Sequence, residues 1–483
     1  MNKRLKYIAI TIIIFFALLV IIGFGYYRYY EISGTISRLK SFIMPSVEDK
    51  QYSAGSGRTA SAKKTFGQLP PGFFHFAPFF LFKAEEDSSV DEVAKAAIEY
   101  TSVYRISLLK QAIISANSLK DNKILKGQCV VIPEPLDPLL PNPGNSELPA
   151  IISARGLYLT GRSAGKPAFL ESVPSLKKKG INAIVFDVKD VDGILHYKSR
   201  VPLALKHNLH ENAAIDNVDM FIKNLKSKGI YIIARIAVFR DILLVKKAPE
   251  LAIKSRSSQK IWKGGGEVWC DPTNKTVQDY ITGLALEIAQ KGVDEVQFDY
   301  IRFPTGGNIG DAAYSFECGV MSREDVIASF LKQAYEKISA ENVRLSIDIF
   351  GVVAWGKKVD INSTGQRIEL LSRYCDYISP MLYPSHFENH FDGYANPADN
   401  PYYFINEGNK KVMSLLSNKE VVIRPWVQAF KWKVTSFGPQ YIIKQIKASD
   451  DSGAKGYLFW NASNEYKNVL TAMESLTQSG EVK

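Results

Sequence analysis

Acidic residues near the ends of apolar, strand-like runs are the features of this 483-residue chain with the clearest chemical meaning. Residues 294–299 read DEVQFD, 344–350 read RLSIDIF and 182–188 read NAIVFDV. Successive side chains of a strand point to opposite faces. Val296 and Phe298 therefore share one face, and Gln297 and Asp299 the other. Leu345, Ile347 and Ile349 oppose Ser346 and Asp348, while Ile184 and Phe186 oppose Val185 and Asp187. The same register assigns Arg235, Arg424, Trp426 and Gln428 to the polar side. The apolar faces suit an outer layer of helices. Asp187, Arg235, Asp299, Asp348, Arg424 and Gln428 are thus expected inside a sheet that closes on itself, in or above its mouth. Buried charges are unfavourable unless paired or functional. Ion pairs Asp187–Arg235 or Asp348–Arg424 would explain single members; the whole set points to chemistry.

Two carboxylates flanking one point are what hydrolysis of a glycosidic bond requires. One protonates the leaving oxygen, and the other attacks or activates water. Asp299 is the leading candidate. Neighbouring strands lie about 4.8 Å apart, so Asp348 would stand roughly 5–6 Å from Asp299, a retaining separation. Asp187, two strands away, would give the wider gap of an inverting pair. Glu317 and Glu465 are loop alternatives, and the choice of partner stays open. Tyr158, Tyr383, Trp426 and Trp460 at strand ends offer faces for pyranose rings, with Arg235, Gln297, Arg424 and Gln428 as polar substrate contacts. Trp355 and Trp432 lie just beyond strand ends, and Asp271 before Pro272 reads as a helix N-cap. His196, His207, His210, His386 and His390 lack metal-ligand spacing, so no metal or other cofactor is expected. The basic stretch Lys254, Arg256, Lys260 and Lys263 precedes three glycines and reads as a mobile lid or a solvated surface; a lid would favour an anionic glycan.

These side chains need a scaffold. Strand-like runs occur at 155–160, 182–188, 230–236, 294–299, 344–350, 376–382, 421–427 and 454–460. Helical patterns fall between them, for example Val277–Gln290 and Asp325–Ala340. Lys179-Gly180, Lys228-Gly229 and Lys291-Gly292 mark helix ends. Eight strands alternating with helices predict an α/β fold, a closed (β/α)8 TIM barrel over 151–476.

The remaining chain divides by composition. Lys3, Arg4 and Lys6 precede an apolar run over Tyr7–Phe24, and Tyr26, Tyr27, Tyr29 and Tyr30 follow it. Such a segment predicts an uncleaved signal anchor over 1–30, with the rest exported. Residues 31–73 read as a flexible linker and 136–150 as a Pro-rich one. The net charge of +11 suits an anionic envelope. No zinc knuckle, helix-turn-helix or RNA-binding aromatic signature is present, which argues against a nucleic-acid partner. The four cysteines form no CxxC pair and read as buried thiols, with one disulfide as the alternative for an exported chain.

Between the linkers, 74–135 carries helical spacing after Asp87-Ser88-Ser89 and closes on GQCVVIP (127–133). With ANSLKD (116–121), this ending resembles the second half of a LysM module, a βααβ unit that binds N-acetylglucosamine polymers such as peptidoglycan. The segments VDEVQFDYIRFP (293–304), WCDPTNKTVQDYI (269–281), RGLYLTGRSAG (155–165), FDVKDVDG (186–193), SIDIFG (346–351), SPMLYPSHF (379–387) and GYLFWNASNEY (456–466) resemble a bacterial family assigned to the glycoside hydrolases. That resemblance implies a barrel glycosidase with Asp299 in a catalytic role. Tyr300 stands where relatives often carry a second acid. The expected function is carboxylate acid/base hydrolysis of a cell-envelope or extracellular polysaccharide, peptidoglycan or another N-acetylated glycan. The alternative is a non-catalytic glycan-binding or envelope-structuring protein with a degenerate barrel.

Overall fold

The computed structural model describes residues 69–76, 79–135, 144–315 and 321–481, all within one compact unit. The apolar run Tyr7–Phe24, most of the linker over 31–73, Glu317 and Cys318 lie outside them. Among the described residues no helix is long and apolar enough to cross a membrane.

The N-terminal part begins with an antiparallel sheet of Phe73–Phe76, Phe79–Lys83 and Cys129–Ile132. Helices Val90–Ala97 and Ile106–Ala116 pack on it, with Phe80, Val90, Leu109, Ile113 and Ile124 fully buried between. Ser89 caps the first helix in a reciprocal box with Glu92, which satisfies two N–H groups that a helix start leaves open. Asn117 clamps the last strand: its Nδ2 donates to the Val131 carbonyl at 2.8 Å, and the Val131 N–H donates to its Oδ1 at 2.7 Å. Asn217 and Asp216, ahead of helix Val218–Ser227, fasten this part to the barrel. Asn217 Nδ2 donates to the Ile98 carbonyl, and Asp216 accepts the Ile106 N–H, each at 2.8 Å. The end of the Pro-rich segment is fastened too. Asn145 Nδ2 donates to the Val293 carbonyl at 2.8 Å, and Arg344 Nε donates to the Pro149 carbonyl at 3.0 Å.

Eight parallel strands close the barrel: Ala154–Leu159, Ala183–Lys189, Tyr231–Ala237, Glu295–Asp299, Arg344–Phe350, Tyr377–Met381, Val422–Gln428 and Gly456–Trp460. They pair in chain order, and the eighth returns to the first. The seventh is split into Val422–Ile423 and Trp426–Gln428 around Pro425, which has no N–H to give to the ladder. Side-chain parity sorts the apolar residues into two clusters. Ile184, Phe186, Val296, Phe298, Leu345 and Ile347 pack outward against the helices. Tyr158, Val185, Ile233, Trp426 and Leu458 fill the interior.

Helices Lys275–Gln290 and Arg323–Ser339 cover the expected segments. The first is capped by Asn274, not Asp271. Asp271 is buried and instead accepts from the Thr273 N–H and hydroxyl, and from the Ser315 N–H at 2.5 Å. It thereby ties the loop after strand three to the loop after strand four.

Candidate active site

The fourth strand ends at Asp299, and the chain turns sharply there because Tyr300 adopts φ +54°. A non-glycine residue rarely takes this conformation, and such residues gather at functional sites. The turn brings the Tyr300 N–H to 2.6 Å from Asp299 Oδ1. Arg235 of strand three holds the other oxygen, Oδ2, through Nη2 at 2.6 Å and Nε at 3.2 Å. Arg235 Nη1 reaches back to Asp187 Oδ1 at 2.5 Å, and the Tyr158 hydroxyl donates to Asp187 Oδ2 at 2.6 Å. Strands one to four therefore carry one continuous chain, Tyr158–Asp187–Arg235–Asp299. Trp460 stacks on Tyr158 at 4.0 Å between centroids, and the Arg235 guanidinium lies over both rings at 5.2 and 5.5 Å.

Asp348 stands on the next strand. Gln297 pairs with Ser346 in the sheet, so Asp299 and Asp348 fall side by side on the inner face. The Trp426 indole N–H donates to Asp348 Oδ1 at 2.8 Å, while the buried Oδ2 has no partner. Burial first, and then the charge of Asp299, push the Asp348 pKa well above the usual carboxylate value. Burial also raises Asp187, against the opposing pull of Arg235. Tyr383 packs in the same interior cluster as Tyr158 and Trp426, and burial, then the charges of Asp348 and Asp299, drive its phenol up.

Three of the residues expected as polar substrate contacts have other positions or partners. Arg424 lies inside the barrel but at the opposite end. It pairs there with Glu295, the first residue of strand four, and lies over the Tyr377 ring at 4.3 Å. It does not pair with Asp348, because strand seven enters the barrel near Val422 and places Arg424 only two residues in. Gln428 is fully buried and spends its amide on backbone. It accepts the Ser385 N–H at 3.2 Å and donates to the Phe430 carbonyl at 3.0 Å, joining the loops after strands six and seven. Gln297 sits one layer below the carboxylates, its Nε2 3.4 Å from Ser379 Oγ. Trp426 acts through its N–H as well as its ring. Trp355 is loop packing, bonded to Asp392 at 2.8 Å and set against Phe387 and Phe391. Trp432 is exposed beside His386. Among the described residues no group of His, Cys, Asp and Glu is placed to hold a metal ion.

An open cleft of about 520 Å³ lies among the loops after strands six and seven, lined by Glu388, Asn389, Asn396 and Lys433. No inward-facing carboxylate lines it, so the buried charge network, not this cleft, defines the site.

A closed parallel barrel with acids at the C-terminal ends of its strands is an enzyme-type scaffold. Residues 156–466 match the family described as "Putative glycosyl hydrolase domain", and the chain belongs to that family. A hypothetical protein from Ruminiclostridium thermocellum ATCC 27405 is 36% identical over 40% of this chain and 96% of its own, with a TM-score of 0.36. The PgaB (BpsB) glycoside hydrolase domain of Bordetella bronchiseptica is 12% identical over 66% of this chain and 98% of its own, at a TM-score of 0.48. The spore cortex-lytic enzyme SleL of Bacillus megaterium QM B1551 is 10% identical over 82% and 85%, at 0.38. No curated protein matches the sequence.

Proposed function

We propose that this protein is a glycoside hydrolase in which Asp299 is the nucleophile and Asp348 the general acid. The observation that carries this reading is the asymmetry between two neighbouring carboxyls. Asp299 accepts from Arg235 and the Tyr300 N–H, as fits a group that acts as acceptor and attacker. Asp348 has a buried oxygen with no partner and a pKa held high, as fits a proton donor. Asp299 attacks the anomeric carbon while the Asp348 proton passes to the departing glycosidic oxygen. The ester with Asp299 is then cleaved by water, whose proton returns to Asp348. Adjacent-strand placement favours net retention. Asp187 holds Arg235 and acts as a positioning residue. Trp460, Tyr158 and Tyr383 would offer ring faces to the sugar.

The substrate class we favour is a cell-envelope or extracellular polysaccharide. In this reading residues 1–30 anchor the chain in a membrane, 74–135 act as a LysM-like glycan-binding module, and 151–476 form an extracytoplasmic hydrolase domain. The net charge of +11 supports an anionic envelope as the setting. A second reading, a non-catalytic glycan-binding barrel, is favoured by the low exposure of Asp299 and Asp348, 6% and 1%. The two are separated by incubating the full chain with a panel of envelope glycans and following products by mass spectrometry and anomeric proton NMR. Hydrolysis with retention is expected. Inversion would move the partner role from Asp348 to Asp187, and binding without turnover would favour the second reading.

A further inference from the structure

Arg302 follows strand four by three residues and folds inward, to 7% exposure. Its guanidinium is surrounded by rings: Phe350 at 4.1 Å, Trp269 at 4.7 Å and Tyr300 at 5.5 Å. Of the five N–H donors an arginine carries, one is used, from Nη1 to the Phe303 carbonyl at 3.0 Å. No carboxylate pairs with Arg302 among the described residues. Burial lowers its pKa to about 10. Ring faces and one carbonyl are what hold this guanidinium in place.

A second cation flanks the same ring. The Arg240 guanidinium lies 5.4 Å from the Tyr300 centroid, and its Nη1 donates to the Tyr300 hydroxyl at 3.2 Å. Its Nη2 pairs with Glu267 at 3.1 Å, on the loop after strand three, and its buried Nε has no partner. Tyr300 is the residue whose turn shapes Asp299, so both arginines border the mouth on the Asp299 side. A guanidinium stacked on rings is weakly hydrated and presents its N–H edge to a planar anion.

We propose that the barrel mouth beside Asp299 takes a sugar bearing a carboxylate, either a uronic acid or a lactyl ether, and that Arg302 and Arg240 receive that carboxylate. The inference rests on the reading of this mouth as a glycan site. It adds the substrate class and two residues that specify it.

The test measures binding of paired probes to the full chain in detergent by calorimetry. One pair is trigalacturonate and its carboxyl-reduced form. The other is the disaccharide of N-acetylglucosamine and N-acetylmuramic acid and its carboxyl-reduced form. For the pair that matches the natural sugar, the acid is expected to bind roughly tenfold tighter than its reduced partner at low salt. The pair that shows the effect tells uronate from lactyl ether. Arg302→Gln and Arg240→Gln should each bring the ratio toward one, and Arg302→Lys should keep part of it. Should Arg302→Gln fail to fold, Arg240→Gln, whose side chain is 20% exposed, decides, together with the loss of the ratio at high salt. A ratio near one for both pairs, no binding of either acid, or a ratio unmoved in the glutamine variants overturns the proposal. Turnover is read separately. Acid preference without hydrolysis sinks the hydrolase reading and leaves this one standing. Hydrolysis of the reduced partner as fast as the acid does the reverse.

Discussion

Replacing Asp348 by Asn separates the acid's chemistry from its packing. The carboxyl is 1% exposed, its Oδ1 holds the Trp426 indole N–H at 2.8 Å, and its Oδ2 has no partner. Asn keeps the shape and the acceptor for Trp426 but removes the transferable proton. Loss of a general acid slows departure of a poor leaving group by roughly 10²–10⁴. That corresponds to about 3–5 kcal/mol of transition-state stabilisation. Dinitrophenolate leaves without a proton, so kcat/KM on its glycoside should fall less than about tenfold, while kcat falls because the second step loses its base. Stability moves the other way. A carboxyl with a raised folded pKa stabilises the fold fully below its unfolded value of about 3.9. That contribution is lost as pH rises through the folded pKa. Burial and the charge of Asp299 raise the Asp348 pKa, whereas Asn does not titrate. The melting temperature of Asp348→Asn relative to wild type should therefore climb as pH rises above the unfolded value of about 3.9. Steady-state rates on aryl glycosides of graded leaving-group acidity, with calorimetric scans across pH, check both. Equal rate loss across all leaving groups, or a pH-independent difference in melting temperature, would refute the reasoning.

Three further substitutions probe the frame around the site. Glu295→Gln leaves the buried Arg424 cation, whose Nε and Nη1 already lack partners, without its carboxylate. It should lower stability by about 3–5 kcal/mol in urea unfolding. A change below about 1 kcal/mol would mean that water reaches Arg424. Tyr158→Phe removes the donor to Asp187 Oδ2 and should destabilise by about 1–3 kcal/mol, with turnover reduced through a loosened Arg235. Unchanged unfolding and kinetics would detach Tyr158 from the network. Ser89→Ala breaks the capping box of the first helix, and about 1 kcal/mol should be lost with activity on a soluble glycoside intact.

Much of this arrangement is legible in the residues. Apolar strand runs, three of them preceded by Lys-Gly stops, locate all eight strands, because a buried parallel strand must be apolar on its helix side. The alternation in DEVQFD and RLSIDIF then orients Asp299 and Asp348 correctly. The Asp187–Arg235 pair follows from the same parity on adjacent strands. Height along the barrel is what the sequence hides. Arg424 and Asp348 share the interior, yet Arg424 lies near the start of its strand and finds Glu295 across the barrel. Glu295 has the parity of Gln297 and Asp299, so its inward aim was readable, but its partner was not. Arg302 gives no signal in IRFP, since its burial depends on Trp269 from the loop after strand three and Phe350 at the end of strand five. Trp426 reads as a stacking face, and its role as donor to Asp348 emerges only when strands five and seven face each other.

The central claim is tested most directly by Asp299→Asn in the full chain, compared with wild type on the envelope-glycan panel by mass spectrometry. Both proteins are checked for the same unfolding transition. The account predicts shorter glycan products from the wild type and none from the variant. Equal product release by the two, with both folded, would contradict it.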